Sequence, residues 1–166
     1  FLSPFFFAHK KNRRWREFHS QSMLGHVYAE PATPNDYPLI AAMVQRHESE
    51  HTLAVVQYWL QRQPQAFHMF RKMDGTVFGF LANLTLSDFS AEDLAADPAL
   101  PKLADYIAQN GPLRPNEVIM IHRFWMGQDQ YETLAVQAAV ELAVGVKLMT
   151  TPTLAWNFPC AADPDF

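Results

Sequence analysis

The sequence predicts one α+β domain in which helices flank a central β-sheet. The chain has 166 residues, and a single domain usually contains roughly 100–200 residues. Three observations predict this fold class: segments with helical spacing alternate with short apolar segments, Asp74-Gly75 is a hairpin signal, and residues 118–125 are almost continuously apolar, as in a buried strand. We place the domain at 26–166.

The first half of the domain is predicted to contain a strand, helical segments and a second strand. Residues 26–32 form the first strand, and Thr33-Pro34-Asn35-Asp36 offers side chains that cap a helix start. Apolar residues at helical spacing then fill 36–62, as two helices or one bent helix. Pro64 ends the helical segment, and the alternating pattern of 66–73 predicts a strand.

A hairpin is predicted next, at Asp74-Gly75. A two-residue type I′ turn needs a positive φ at both central positions, and Asp followed by Gly adopts this conformation at low cost. Thr76–Leu86 is therefore the strand that returns beside 66–73.

The segment 87–116 is predicted to be an insertion, because it is acidic and interrupted by prolines. Within it we expect one helix from about Asp97 to Asn110, followed by Gly111 in the left-handed conformation that ends many helices. The buried strand 118–125, a helix at Leu134–Leu148 and a last strand at Thr153–Phe158 complete the pattern.

Charge and cysteine content restrict the classes of partner. Thirteen basic and seventeen acidic side chains give a net charge of −4, so no overall field attracts nucleic acid or an anionic membrane. Residues 1–25 are basic and aromatic, and we interpret them as a linker or docking arm in preference to a nucleic-acid-binding segment. Cys160 is the only cysteine, which excludes an intrachain disulfide and favours the cytoplasm.

The two ends of the chain indicate a piece of a longer polypeptide with flanking domains. The apolar run 1–8 is too short to span a bilayer, which takes about 20 residues, and its positive charges follow it instead of preceding it as in a secretory signal. We therefore expect no membrane partner. The chain starts with Phe1 and stops at Asp-Pro-Asp-Phe, with no obvious closing element.

Two local sequences and the order of elements resemble the GNAT family of acyl-CoA N-acyltransferases. The sequences are Ala32–Asp36 and the hairpin Phe70–Phe80, and the likeness covers about 26–158. The resemblance implies a layered fold with a mixed, mostly antiparallel central sheet flanked by helices, and a fourth helix and closing hairpin that this chain lacks. It also implies acetyl-CoA or another acyl-CoA as co-substrate, and an amine on a small molecule or peptide as acceptor.

In that family the fourth and fifth strands separate, and the pantetheine of the acyl-CoA lies between them. The resemblance places the pyrophosphate on the turn and helix start after the fourth strand, where backbone amides surround an anion. Tyr131 and Thr133 stand where the family has glycines, and a side chain at the first position hinders close approach of the backbone to phosphate. The implied cofactor contacts are Phe124, Trp125, Met126, Gln128, Tyr131, Thr133 and Asn157.

Two residues are candidates for proton transfer. A Glu on the fourth strand is a common base in the family, and the resemblance gives this role to Glu117, at the start of 118–125. His122 lies within the strand and is a second candidate. The alternatives are a solvated carboxylate for Glu117 and a hydrogen-bonded core residue for His122.

A competing motif lies at 47–51. His47-Glu48-Ser49-Glu50-His51 matches H-E-x-x-H, in which two His one helical turn apart bind zinc and the Glu activates water. The motif falls at the expected junction of the first two helices, so we favour a solvated helix end over a zinc hydrolase. The first alternative to acyl transfer is a regulatory or ligand-sensing module of a larger protein without catalysis, and the zinc hydrolase is the third possibility.

Overall fold

The computed structural model describes residues 27–159, which form a five-stranded sheet with helices on both faces. The predicted arm at 1–25, together with His26 and Cys160, lies outside the described residues. The strands are β1 (Val27–Pro31), β2 (Phe67–Lys72), β3 (Val77–Leu86), β4 (Val118–Gly127) and β5 (Leu154–Pro159). The helices are α1 (Tyr37–His47), α2 (Glu50–Arg62), α3 (Ala91–Ala96), α4 (Leu100–Asn110) and α5 (Leu134–Thr150).

The sheet is mixed and mostly antiparallel, which confirms the predicted α+β class. Its strand order is β1-β2-β3-β4-β5. The first three pairings are antiparallel, and β4 and β5 are parallel, joined by the crossover helix α5. None of the helices in this part of the chain has the length and apolarity needed to cross a membrane.

Two apolar layers hold the helices on the sheet. The larger contains Trp59, Phe67 and Phe80, all fully buried, and joins one sheet face to α1, α2 and α4. The smaller joins the other face to α5 through Leu81 and Val136. Each large apolar side chain removed from water contributes roughly 1.5–3 kcal/mol. A one-residue shift of β3 would turn its side chains to the opposite faces of the sheet, so this energy fixes which residues face which layer.

The central pair of strands, β3 and β4, contains a bulge. Ala82 pairs with Phe124 and Asn83 pairs with His122, so Arg123 is an extra residue on β4. Such an insertion bends the strand and changes the direction of nearby side chains. The Arg123 guanidinium uses this freedom to form two hydrogen bonds, of 2.8 and 2.9 Å, with the Asp97 carboxylate.

The hairpin lies where the sequence places it, but its predicted turn type is wrong. Only Gly75 has a positive φ, +84°, whereas Asp74 does not. The Gly75 amide donates to the Lys72 carbonyl (2.9 Å), and the Lys72 amide donates to the Thr76 carbonyl (2.9 Å). These bonds close a three-residue loop in which one left-handed glycine is enough.

The insertion contains two helices where the sequence predicts one. The missed helix is α3, whose start is capped by the Ser90 hydroxyl, which accepts from the Asp93 amide (3.0 Å). Gly111 is also not the expected left-handed cap, because its φ of 167° is extended. A Cβ there would lie 3.1 Å from the Trp156 indole, so a larger residue at this position would require the indole to shift.

Candidate functional site

The loop between β4 and α5 is closed by short backbone contacts. The Gly127 amide donates to the Tyr131 carbonyl (2.9 Å), and the Gln128 amide donates to the Phe78 carbonyl (2.9 Å). A Cβ on Gly127 would lie 2.4 Å from the Gln130 carbonyl oxygen, so a glycine is required for this turn. The sequence analysis missed Gly127, although a glycine at the end of an apolar run was the available signal.

Thr133 is the N-cap of α5. Its hydroxyl accepts from the Val136 amide at 3.2 Å, which satisfies one of the four amides that a helix start leaves free. Between residues 27 and 159 only Gly75 and Asn116 have a φ in the left-handed region, so no left-handed residue occurs in 127–133. The loop therefore reaches the start of α5 with Thr133, and not a glycine, at its last position.

A groove of about 440 Å³ borders this loop. It lies between the loop, the start of α5 and the β2–β3 hairpin, and Lys72 is its cationic lining residue. Asp129 brings a negative charge, but its carboxylate is 2.9 Å from the Arg46 guanidinium. The groove is lined by Val27, Lys72, Thr76, Val77, Phe78, Gly127, Gln128, Asp129, Gln130, Thr133 and Ala135.

Tyr131 does not line that groove. Its ring packs against the larger apolar layer and meets the His47 ring edge-on, with centroids 5.8 Å apart. Its hydroxyl donates to Glu48 Oε1 at 2.8 Å. Burial and the neighbouring Glu48 carboxylate raise the pKa of Tyr131. The side chain thus joins the loop to the junction of α1 and α2.

The H-E-x-x-H residues lie on two helices, with a break between them. α1 ends at His47, Glu48 and Ser49 are extended, and α2 begins at Glu50, as the sequence analysis expects for a helix junction. The His47 ring approaches the Gln128 carbonyl at 3.4 Å, and His51 is exposed. Residues 27–159 include no cluster of three or more His, Cys, Asp or Glu that could hold a metal ion.

Glu117 is positioned far from the loop that follows β4. Its carboxylate accepts from the Arg114 amide at 2.8 Å and lies 3.9 Å from the Arg114 guanidinium. Ten residues separate it from Gly127 along an extended strand, which corresponds to about 33 Å. The structure therefore places Glu117 in a turn at the opposite end of β4.

His122 is buried, with 4% of its surface exposed. Neither ring nitrogen has a hydrogen-bond partner among the described residues. Burial lowers the pKa of His122 and outweighs the opposite effect of the side chain of Asn157, on the neighbouring strand. The geometry of that contact does not make a hydrogen bond, so we treat the ring as neutral and unpaired. Asn157 itself is exposed.

The last part of β4 offers a backbone edge beside β5. Among the described residues the β4–β5 pairing ends at His122 and Pro159, so no described residue pairs with that edge from Arg123 onward. Phe124 and Met126 turn into the larger apolar layer, whereas Trp125 packs towards α5. The side chains of these three candidates therefore have a structural role in packing.

A buried charged network holds the bulge, and the sequence analysis did not find it. Asp97 is fully buried and accepts from Trp59 Nε1 (2.9 Å) as well as from Arg123. The Arg123 guanidinium also lies over the Phe124 ring, 4.3 Å from its centroid. An arginine inside an otherwise apolar strand was the signal for a buried acidic partner.

Comparison with known proteins adds no family assignment. No protein-family model matches the chain, and no curated protein sequence shows significant similarity to it.

Proposed function

We propose that this domain binds an acyl-CoA and is an N-acyltransferase-like domain. The observation that carries the proposal is the groove at the end of β4, where a glycine turn leads directly into the start of α5 beside Lys72. This groove sits in a sheet whose β4 is antiparallel to β3 and parallel to β5. Ligands of α/β proteins commonly bind where strands end at helix starts.

The groove has the chemistry for a pyrophosphate. The first amides of α5 that lack a helical partner, the helix dipole and the Lys72 ammonium all favour a bound anion. Asp129 opposes such binding, and its pairing with Arg46 reduces that opposition. The amide-rich pantetheine would then lie along the β4 edge at Arg123–Trp125, beyond the last β4–β5 pair, where backbone groups that face away from β3 can pair with it.

The reaction would be direct attack of an acceptor amine on the thioester carbon. The C–N bond forms, the C–S bond breaks, the amine loses a proton and the thiolate gains one. Backbone amides near Phe124–Met126 would polarise the carbonyl. Glu117 is too far from that point to act without a chain of water molecules, whereas His122 lies two residues away and its lowered pKa makes it an unprotonated acceptor at neutral pH.

Calorimetric titration with acetyl-CoA tests the binding step. We expect saturable binding that Lys72→Met weakens about tenfold, since one favourable charge contact is lost. Lys102→Met is the matched control, because Lys102 is exposed on α4 and does not line the groove. Absence of saturable binding at millimolar acetyl-CoA, or equal effects of the two substitutions, would contradict the proposal.

A second candidate function, ligand sensing without catalysis, is favoured by the position of Glu117. If the site only binds acyl-CoA, a panel of amines will release no thiol above the spontaneous rate even though titration shows binding. If it transfers acyl groups, thiol release will depend on the amine. In that case we expect His122→Gln to reduce turnover and Glu117→Gln to leave it unchanged.

A further inference from the structure

A larger cleft, of about 650 Å³, lies beside the second half of α5. Small-molecule sites usually measure roughly 300–1,000 Å³, so its size suits a ligand. Its α5 wall includes Leu142 and Val146, which are about half exposed. Val146 is eleven residues beyond Ala135 of the acyl-CoA groove, or about 16 Å along the helix. The cleft and the groove share Val27, and their other lining residues differ.

A buried polar atom lies on the sheet side of this cleft. Asn83 lines it and is 94% buried, with 6% of its surface exposed. The Asn83 amide group contacts Met120 Sδ at 3.4 Å, but its Oδ1 has no hydrogen-bond partner among the described residues. Native proteins rarely leave such an acceptor unpaired. Oδ1 has less than 1 Å² of accessible surface, so a hydroxyl or amide donor on a bound molecule would satisfy it after the Asn83 side chain rotates towards the cleft.

The charges at the cleft favour an anion. Lys147 and His68 line it, and no Asp or Glu does so among the described residues, although the chain as a whole carries a net charge of −4. His68 is largely neutral at pH 7, because burial and the Lys147 charge outweigh its contact with the Ala66 carbonyl and lower its pKa. Lys147 is therefore the cation that a ligand would meet.

We propose that this cleft binds a small amphipathic carboxylate that also carries a hydroxyl or amide donor. The carboxylate pairs with Lys147, the apolar chain lies along Leu142 and Val146, and the donor reaches Asn83. The inference rests on this cleft alone and is independent of acyl-CoA binding.

An NMR titration with ω-hydroxydecanoate tests the charge requirement. We expect saturable shifts of the α5 amide signals between Leu142 and Lys147, and Lys147→Met should weaken binding about tenfold. The same substitution should leave the affinity for neutral decanol unchanged, and Lys102→Met should alter neither ligand. Shifts confined to other regions, no saturation at millimolar ligand, or an undiminished affinity in Lys147→Met would overturn the proposal.

The polar requirement is tested by comparing ω-hydroxydecanoate with decanoate. In the unsubstituted chain the hydroxylated ligand should bind several-fold more tightly, and Asn83→Leu should remove this difference. If Asn83→Leu does not fold, the ratio of the affinities for ω-hydroxydecanoate and decanoate in the unsubstituted chain still tests whether the hydroxyl contributes to binding. Equal affinities would refute the role of Asn83. Acetyl-CoA should not displace ω-hydroxydecanoate, and competition between them would show that the cleft is not a separate site.

Discussion

At the scale of single residues, the loop after β4 is constrained most closely at Gly127. A Cβ there would meet the Gln130 carbonyl oxygen at 2.4 Å and the Val136 side chain at 3.2 Å. The first contact is with backbone, which cannot move without opening the turn. This residue therefore sets the path by which the chain enters α5 and the shape of the adjacent groove.

We predict that Gly127→Ala lowers the free energy of unfolding by about 1–3 kcal/mol, because the loop must shift to relieve the contact. Gly145→Ala is the matched control. Gly145 lies within α5 with nothing within 4 Å of an added Cβ, so that change should stabilise the protein by about 0.5–1 kcal/mol through helix propensity. Urea unfolding of both variants measures the difference, and equal effects would refute the account of the turn.

His122 predicts a dependence of stability on pH. Its pKa in the folded state is lowered from 6.5, so above that pH protonation of His122 does not lower the free energy of unfolding. As the pH falls, the free energy of unfolding decreases, because the unfolded chain binds the proton more readily than the folded chain. His122→Leu should reduce the loss of unfolding free energy between about pH 7 and pH 5. It should also stabilise the protein by about 1 kcal/mol at neutral pH, since two unpaired ring nitrogens leave the core.

His51→Gln is the control for that measurement, since His51 is exposed and its replacement should leave the pH profile unchanged. A profile in which His122→Leu behaves like His51→Gln would show that the His122 ring is hydrogen-bonded after all.

Tyr131 predicts a different result for binding than for stability. Tyr131→Phe should cost about 1–2 kcal/mol by removing the hydrogen bond to Glu48. Because the pKa of Tyr131 is raised, this stabilisation is present below about pH 10 and is lost at higher pH, where the unfolded chain ionises first. Acetyl-CoA affinity should not change, since the ring does not line the groove.

Tyr106→Phe serves as the comparison for Tyr131→Phe, because Tyr106 is 50% exposed on α4. This substitution should change the free energy of unfolding by less than about 0.5 kcal/mol and should leave acetyl-CoA affinity unchanged. Tighter acetyl-CoA binding in Tyr131→Phe would support the expectation from the sequence that Tyr131 hinders phosphate binding.

At the scale of elements, the acidic insertion is attached to the sheet through buried carboxylates. Asp93, at the start of α3, accepts from the Tyr58 hydroxyl at 2.5 Å and from Arg62 at 3.2 Å. Burial works to raise the pKa of Asp93, but the hydrogen bonds from Tyr58, Ser90 and Arg62 outweigh it and lower the pKa. Asp93 therefore connects α3 to α2 and is not part of a solvated surface.

Asp97 makes the corresponding connection to the β4 bulge. We predict that Asp97→Ala lowers the free energy of unfolding by about 3–5 kcal/mol, because it leaves the mostly buried Arg123 guanidinium without its partner. Asp105→Ala, at an exposed position of α4, should change it by less than about 0.5 kcal/mol. Similar losses in the two variants, measured by urea unfolding, would contradict a structural role for the network.

At the scale of the whole molecule, the sequence predicted element types well where one periodicity dominated. Three examples are the continuous apolar run of β4, the helical spacing in α1 and α5, and the glycine of the hairpin. Each depends on residues close together in the sequence, so the pattern is visible without the fold. The short helix α3 was missed because six residues give little periodic signal, and only its Ser90 cap marked it.

The candidate site was predicted less well, because its properties depend on which way side chains point. The sequence located the loop and helix start, yet it could not show that Tyr131 turns towards Glu48 or that Asp129 is paired with Arg46. Glu117 was predicted from the family resemblance, as a Glu at the start of the fourth strand, and its distance from the loop follows only from the extended path of β4. Partnerships between residues far apart in sequence require the folded chain.

Mapping acetyl-CoA onto the backbone by NMR tests the central claim most directly. Saturable shifts of the amide signals at 124–135, with those of α5 between Leu142 and Lys147 unchanged, are the result that acyl-CoA binding at the end of β4 predicts. Their absence at millimolar acetyl-CoA, or shifts confined to other parts of the domain, would contradict it.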